Sequence, residues 1–448
     1  MRDTLPQISG HQDSLDGIRA IAALSVLTYH VSSASGVLYR PGSAGWLFNG
    51  GQIGVPVFFT LSGLLLYRPW AAAILDTRRG GPGTRTYFRK RALRILPAYW
   101  ALVICFMVTG GLGHIADPGT WLSLLTLTHT YLPDPWWGSH LGPKYLGQIW
   151  SLSVEVAWYV TLPATAWALA WYARRGKRKG PESEVGKRAR RLLIGIAAYS
   201  GISFAYLVHM FFPEVNPRIG LWLPHLLGWF GTGMALAVLT VWARLEPAGR
   251  VARLCRTVAA SWGACWTGAA LVYVMASTPL TGPLDLVTLD VFWTALMNIV
   301  LNGLCAALLV APVAMAHAGH AELGAILGNP VMRFLGRISY SVFLWQMFVI
   351  VGWYEWTGRS FRGNMLTDLP LMLAATIAVA TVSYYLVERP AQRLGRSRRK
   401  AGTAGKARKA PDAGGPPAAV PSAARSTLPD LPHRPDADAT APPRPEPG

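Results

Sequence analysis

The sequence predicts an all-α membrane protein with about ten transmembrane helices. Of its 448 residues, 52% are hydrophobic and only 14% are charged, whereas charged residues make up about 25% of a typical soluble protein. The chain contains 19 tryptophans and a series of apolar runs of about 20 residues, the length that a helix needs to cross a bilayer. These observations argue against a soluble enzyme.

Ten apolar runs are long enough to be spans, and an even number places both termini on the same side of the membrane. The first, third and fourth runs also contain Arg, Glu or Pro, which makes them weaker candidates. A further run, from Trp121 to Tyr131, is too short to span and is predicted to be interfacial or re-entrant. The predicted spans are residues 17–38, 52–75, 94–113, 149–172, 192–212, 220–243, 257–277, 290–315, 334–354 and 369–387.

The distribution of Lys and Arg sets the predicted orientation, because short cytoplasmic loops carry the positive excess. With the N-terminus inside, the inner loops contain most of the basic residues and the outer loops contain few. The formal net charge of +20 therefore indicates topology and attraction to anionic lipid of the inner leaflet, not nucleic-acid binding. The sequence predicts a multi-pass protein of the cell membrane with both termini in the cytoplasm.

The predicted organisation is a short cytoplasmic N-terminus (1–12), a transmembrane core (13–392) and a disordered cytoplasmic tail (393–448). The tail is first basic and then rich in Ala and Pro, with too few large apolar residues to offset the entropy of ordering it. The first span has no basic segment before it and is predicted to remain uncleaved. The four cysteines lack Cys or His partners at metal-site spacing, so no metal site is predicted.

The first predicted span contains three ionisable residues, Asp16, Arg19 and His30. A charged side chain inside a bilayer costs about 2.5–3.5 kcal/mol on insertion scales, so such residues are candidates for function. Arg19 and His30 are eleven residues apart and share one helix face, about 16 Å apart along the axis. That spacing suits an elongated ligand with an anionic head, such as acyl-coenzyme A. The alternatives are a local Asp16–Arg19 ion pair and a hydrogen-bonded core histidine.

A second candidate is the segment Trp150-Ser-Leu-Ser153-Val-Glu155, which opens the fourth span from the outer side. The helix rise predicts Glu155 about 7 Å below the outer end of its span and His30 about 20 Å above the inner end. The two side chains are expected to meet, so that the carboxylate fixes the tautomer of an imidazole acting as general base. The alternative is that Glu155 stabilises the N-terminus of its helix.

Basic residues also cluster at the inner end of the third span, where Arg91 and Arg94 can face one side of a helix. Paired guanidinium groups bind phosphates through forked hydrogen bonds, although basic residues here can also be topological anchors. Ser62, which precedes Gly63, is predicted to take part in close helix packing. The alternative for Ser62 is a nucleophile activated by His30.

Several motifs in the same order resemble the bacterial acyltransferase family 3, a family of integral-membrane O-acyltransferases. The resemblance covers about residues 12–392 and departs from many members at Gln346, where a His is common, and at Val156, where a second acid or amide is common. The motifs are Arg19-ten residues-His30, Phe58 to Gly63, Arg91-x-x-Arg94-Ile-Leu-Pro, Trp150 to Glu155, Gly336 to Ser341 and Val387 to Pro390.

The resemblance implies a ten-helix core that moves an acyl group, often acetyl, from coenzyme A to a hydroxyl of a sugar, polysaccharide or macrolide-like acceptor. Carried over by motif, Arg19 and His30 are the implied catalytic pair, and Arg91 with Arg94 the coenzyme A site. Glu155 is expected to assist catalysis. Expected supporting residues are Asp16, Ser62, Trp150 and Ser153.

A transporter or lipid-linked glycan flippase is the rival interpretation, in which His30 and Glu155 form a proton relay. It predicts no consumption of a thioester. For an acyltransferase, the acceptor is expected near the outer loop 114–147, where Trp136, Trp137 and His140 can stack on sugars or lie at the membrane interface.

Overall fold

The computed structural model describes residues 4–175, 183–285, 288 and 290–394. Within these ranges all regular secondary structure is helical, which confirms the predicted all-α class. The predicted tail, apart from residues 393 and 394, lies outside the described residues, as does the basic stretch 176–182.

Each predicted span coincides with a helix, although the span 257–277 is formed by two helices that meet at a bend of 70°. The last long helix continues as a π-helical turn over Tyr384–Glu388. The α-helices of the described chain are α1 (Asp13–Ala34), α2 (Gly54–Leu75), α3 (Thr84–Met107), α4 (Pro118–Leu125), α5 (Ile149–Arg174), α6 (Glu184–Phe211), α7 (Leu223–Leu245), α8 (Arg250–Ala260), α9 (Trp262–Ser277), α10 (Phe292–Met315), α11 (Ala321–Leu327), α12 (Pro330–Thr357) and α13 (Met365–Ser383).

Six helical segments in the described ranges are long and apolar enough to cross a membrane, and the bent pair α8–α9 would be a seventh. The chain is therefore a multi-pass membrane protein, but the expected count of about ten spans is not confirmed. The three predicted spans that do not qualify lie in α1, α3 and α5. The six segments are Ala44–Leu75, Glu184–Phe211, Pro217–Leu245, Phe292–Met315, Pro330–Thr357 and Met365–Leu394.

The apolar run from Trp121 to Tyr131 is divided between the short helix α4 and a 3-10 turn over His129–Tyr131. Asp117 caps α4, because its carboxylate accepts hydrogen bonds from the backbone N–H groups of Gly119 and Thr120 at 2.9 and 3.1 Å. At eight residues, α4 is too short to cross a bilayer, in agreement with the prediction for this run.

Close helix crossings bring α1, α2, α7 and α12 together. A Cβ atom on Gly336 of α12 would collide with the backbone oxygen of Asp16, and one on Gly233 of α7 would collide with that of Thr60. These glycines therefore allow backbone contact between helices, as small residues do in membrane proteins. The Asp16 segment of α1 is held directly against α12 as a result.

An aromatic stack places α5 beside α2. The Trp158 ring of α5 stacks on Phe230 of α7 with centroids 4.5 Å apart, and Phe230 stacks on Phe59 of α2 at 4.4 Å. All three side chains are buried. This rigid contact fixes the face of α5 that carries Glu155 toward the face of α2 that carries Ser62.

Candidate active site

A cavity of about 320 Å³ lies among α1, α2, α3, α5 and α12. Along α2 its lining extends from Val55 to Arg68, fourteen residues that cover about 20 Å of helix axis. The cavity is therefore elongated and runs along the helices. Its charged lining consists of the carboxylates of Asp16 and Glu155 and the guanidinium groups of Arg19, Arg68, Arg91 and Arg94, together with the imidazole of His11.

Arg19 lines this cavity and forms the local ion pair with Asp16 that the sequence analysis gave as the alternative. Its Nη1 donates to Oδ1 of Asp16 at 2.7 Å, while Oδ2 of Asp16 lies 2.9 Å from Nε2 of His11. Arg19 also lies close enough to Arg94 for the two cations to repel each other. The pair with Asp16 therefore orients Arg19 within the cluster of cations.

Glu155 is the second carboxylate of the cavity and is held by two hydroxyl groups. Its Oε1 accepts hydrogen bonds from Ser62 Oγ and Tyr159 OH, both at 2.5 Å. Glu155 also interacts electrostatically with Arg91. The carboxylate thus joins α2 and α5 and partly balances the arginine cluster.

The expectation that Glu155 meets His30 is wrong: across the described ranges no hydrogen bond or ion pair joins them. The reason is the depth at which α5 begins. Gln148, just before α5, donates from Nε2 to the backbone oxygen of Leu344 at 2.5 Å, and Leu344 lies in the middle of α12. Glu155 is seven residues further inward, about 10 Å along the axis, and so reaches the level of Arg19.

His30 lies beyond the outer end of the cavity. Its side chain is half-buried and lies near Gln346, whose Nε2 donates to the backbone oxygen of Phe343 at 3.2 Å. In the described part of the chain neither His30 Nδ1 nor Gln346 Oε1 has a hydrogen-bond partner. Phe343, three residues before Gln346, lines the cavity and contacts Phe58 edge-on with centroids 6.0 Å apart. This aromatic pair lies in the outer part of the cavity, and His30 is not a lining residue.

Arg91 and Arg94 face the cavity together from α3, as predicted from their spacing. They lie close enough to repel each other, and neither forms a hydrogen bond or ion pair with any described residue. Glu388 is near Arg94, is only 3% exposed, and accepts hydrogen bonds from Ser341 and Gln392 at 3.0 and 2.9 Å. Two neighbouring guanidinium groups whose N–H donors are not hydrogen-bonded to described residues form a site for anionic oxygens.

The other sequence candidates have smaller roles in this geometry. Trp150 and Ser153 do not line the cavity, whereas their neighbour Ser151 does. Sequence reasoning missed Tyr159 and Arg68, both of which line it. Tyr159 follows Glu155 by one helical turn, a spacing that could have indicated it.

A metal centre has no support in the described ranges, where no group of three or more His, Cys, Asp or Glu side chains comes together. The four cysteines are free. Cys305 is buried and its Sγ donates to the backbone oxygen of Ala269 at 3.1 Å, which is consistent with a packing role.

Replacing Glu155 by Gln is expected to destabilise the protein by about 1.5–3 kcal/mol, because the hydrogen bonds lose a charged acceptor. The measurement is the thermal unfolding midpoint in detergent, followed by tryptophan fluorescence. Glu214→Gln is the matched control, since Glu214 is exposed in a loop. Equal midpoints for the two variants would show that Glu155 does not hold the cluster.

Comparison with known proteins gives a family and several distant relatives. A family model described as an acyltransferase domain matches residues 12–388. Nodulation protein 10 of Rhizobium leguminosarum bv. viciae is 25% identical over 414 residues, which cover 86% of this chain and 95% of the relative. No solved structure shows a significant match.

Two further relatives are longer than this chain. A Staphylococcus aureus (strain MSSA476) protein, named as a proposed O-acetyltransferase, is 24% identical over 86% of this chain and 58% of its own length. A Bacillus subtilis (strain 168) protein, named as the proposed peptidoglycan O-acetyltransferase YrhL, is 24% identical over 85% of this chain and 55% of its own length. The chain therefore spans little more than half the length of these relatives.

Proposed function

The chain belongs to this acyltransferase family, and on that premise we propose that it is an integral-membrane O-acyltransferase that uses acyl-coenzyme A. The proposed reaction moves a short acyl group, with acetyl favoured, to a hydroxyl of a glycan or macrolide-type acceptor. The observation that carries the proposal is the elongated cavity, in which four arginines face only two carboxylates. Such a cavity suits an elongated polyanion with an apolar reactive end.

In this proposal the phosphates of the donor bind Arg91 and Arg94, and the pantetheine arm extends along α2 toward Phe58. Guanidinium groups suit phosphates because each presents two parallel N–H donors. The donor enters from the cytoplasm, which is the side to which the basic loops assign the inner ends of α2 and α3. Arg19, oriented by Asp16, adds positive charge midway along the path.

His30 is the proposed general base. A neutral imidazole removes the proton of the acceptor hydroxyl, the oxygen attacks the thioester carbonyl, the C–S bond breaks, and the thiolate of coenzyme A takes a proton. Transfer through an acyl-histidine would use the same residue as nucleophile. In either route the acyl end of the donor must pass Phe58 and Phe343 to reach His30. We propose that Gln346, which lies near the imidazole ring, orients it.

The proposed acceptor approaches from the outer side, where aromatic side chains are exposed. Trp136 is 41% exposed, and its ring stacks on His114 with centroids 3.7 Å apart. An exposed indole held flat in this way suits the apolar face of a sugar ring. The names of the Staphylococcus and Bacillus relatives refer to O-acetylation and, in one case, to peptidoglycan, which supports a glycan acceptor here.

The test is release of coenzyme A by purified protein in detergent, supplied with acetyl- or propionyl-coenzyme A and a panel of sugars, peptidoglycan fragments and macrolides. Acceptor-dependent release would establish the reaction and the acceptor class. If neither thioester binds, the acyl-coenzyme A donor is excluded and a transporter becomes the better hypothesis.

Replacing Ser62 by Ala is expected to lower kcat/KM by less than about 10-fold, because the change removes one hydrogen bond to Glu155. A serine nucleophile would instead lose several orders of magnitude. The measurement is acceptor-dependent release of coenzyme A at several donor concentrations. A loss as large as that of His30→Ala would assign the nucleophile to Ser62.

A further inference from the structure

Arg68 is a buried cation without a counter-ion. It is 6% exposed and lines the inner part of the cavity, yet no carboxylate of the described residues lies within ion-pair distance of it. A buried charge is costly unless it is paired. The fold therefore maintains this guanidinium at a cost that a bound anion would relieve.

The hydrogen bonds of Arg68 use only one end of its guanidinium group. Nη1 donates to the backbone oxygen of Gln7 at 3.1 Å and to Oε1 of Gln12 at 3.2 Å. Nε and Nη2 have no partner in the described ranges. These two nitrogens form the edge that binds both oxygens of a carboxylate or phosphate in parallel. Anchoring of the N-terminal segment thus accounts for the hydrogen bonds of Nη1, but it leaves the Nε–Nη2 edge without a partner among the described residues.

Arg68 is also separate from the other arginines. Arg94 interacts electrostatically with both Arg19 and Arg91, whereas Arg68 lies six residues beyond Ser62 on α2, about 9 Å further toward the inner end. Coenzyme A carries a pyrophosphate and a 3′-phosphate on its nucleotide, at separate points along the molecule. A second cation displaced toward the cytoplasmic mouth matches that distribution.

We propose that Arg68 forms a second phosphate-binding site. Its Nε–Nη2 edge holds one phosphate group at the nucleotide end of the donor, while Arg91 and Arg94 hold the phosphate group at the other position. This inference rests on the proposed use of acyl-coenzyme A. Residues 10–12, which line the same end of the cavity, cover this phosphate from the cytoplasmic side. Arg68 thereby favours binding of donors that carry the nucleotide and disfavours shorter thioesters that lack it.

The experiment uses the full-length protein in detergent and compares two donors: acetyl-coenzyme A, and S-acetyl-pantetheine, a thioester that carries no phosphate. Arg68→Gln is expected to raise Kd for acetyl-coenzyme A by about 10- to 100-fold and to leave kcat/KM for S-acetyl-pantetheine unchanged. The matched control, Arg85→Gln, changes an exposed arginine of α3 and is expected to alter neither value. Arg68→Lys keeps the charge without the fork and should lose about 3- to 10-fold in affinity; it carries the test if Arg68→Gln does not fold.

Three results would overturn the inference. Unchanged affinity for acetyl-coenzyme A in Arg68→Gln, with affinity lost in Arg91→Ala, would leave the proposed function intact and remove Arg68 from the site. Equal loss with both thioesters would assign Arg68 a structural role only. Failure of the unmodified protein to bind acetyl-coenzyme A would instead reject the donor itself, and this inference with it.

Discussion

Replacement of His30 by Ala is expected to lower kcat/KM for acyl transfer by at least about 100-fold, and by up to about 10,000-fold, the range for loss of a general base. Affinity for the donor should persist, because His30 does not line the cavity that contains the arginines. The measurement combines acceptor-dependent release of coenzyme A with direct binding of acetyl-coenzyme A. Activity should be lost while Kd is retained.

The control for His30 is His209→Ala, which removes an exposed imidazole near the end of α6 and should leave both quantities unchanged. Turnover by His30→Ala at the unmodified rate would contradict the mechanism. Retained activity in His30→Gln would also contradict it, since an amide can accept a hydrogen bond but cannot take the proton.

Loss of the paired arginines is the second large expected effect. Arg91→Ala and Arg94→Ala are each expected to raise Kd for acetyl-coenzyme A by about 10- to 100-fold, since each removes a charge-assisted hydrogen bond to phosphate. The double variant should lose more affinity than either single variant. Isothermal titration of the donor in detergent measures these constants.

The matched control for this pair is Lys90→Ala. Lys90 directly precedes Arg91 in sequence but is exposed on α3, so its loss tests whether general positive charge is sufficient. If Lys90→Ala weakens binding as much as Arg91→Ala, the arginines act only as topological anchors. If both leave Kd unchanged, the donor binds elsewhere.

The positions of the helices could be predicted from sequence because apolar run length is a local property. All ten predicted spans fall on helices, although those in α1, α3 and α5 are not among the segments apolar enough to cross a membrane. Arg91 and Arg94 were also predictable, because a spacing of three residues determines which face of a helix they share.

The depth of Glu155 could not be predicted, because it depends on a contact between distant parts of the chain. The helix rise gives the correct depth of Glu155 only if α5 begins at the membrane surface. In the structure, Gln148, just before α5, is hydrogen-bonded to Leu344 in the middle of α12, so α5 begins deeper. The proximity of His30 to Gln346 likewise brings together residues far apart in sequence. Such contacts follow from packing and leave no local pattern.

The role of Arg68 could not be predicted from sequence either. In sequence it stands at the inner end of an apolar span, where an arginine ordinarily extends toward the lipid head groups. Only its burial and the unused Nε–Nη2 edge distinguish it from an anchor. Its role therefore depends on three-dimensional information.

The central claim is that an acyl group passes from a donor on the arginine-rich side to an acceptor on the other side. The most direct measurement uses sealed proteoliposomes of known orientation, with labelled acetyl-coenzyme A and the acceptor placed in opposite compartments. The predicted result is labelled acceptor only when the donor faces the inner ends of α2 and α3, and none with His30→Ala. Labelling with the donor confined to the opposite side, or with donor and acceptor required in the same compartment, would contradict the claim.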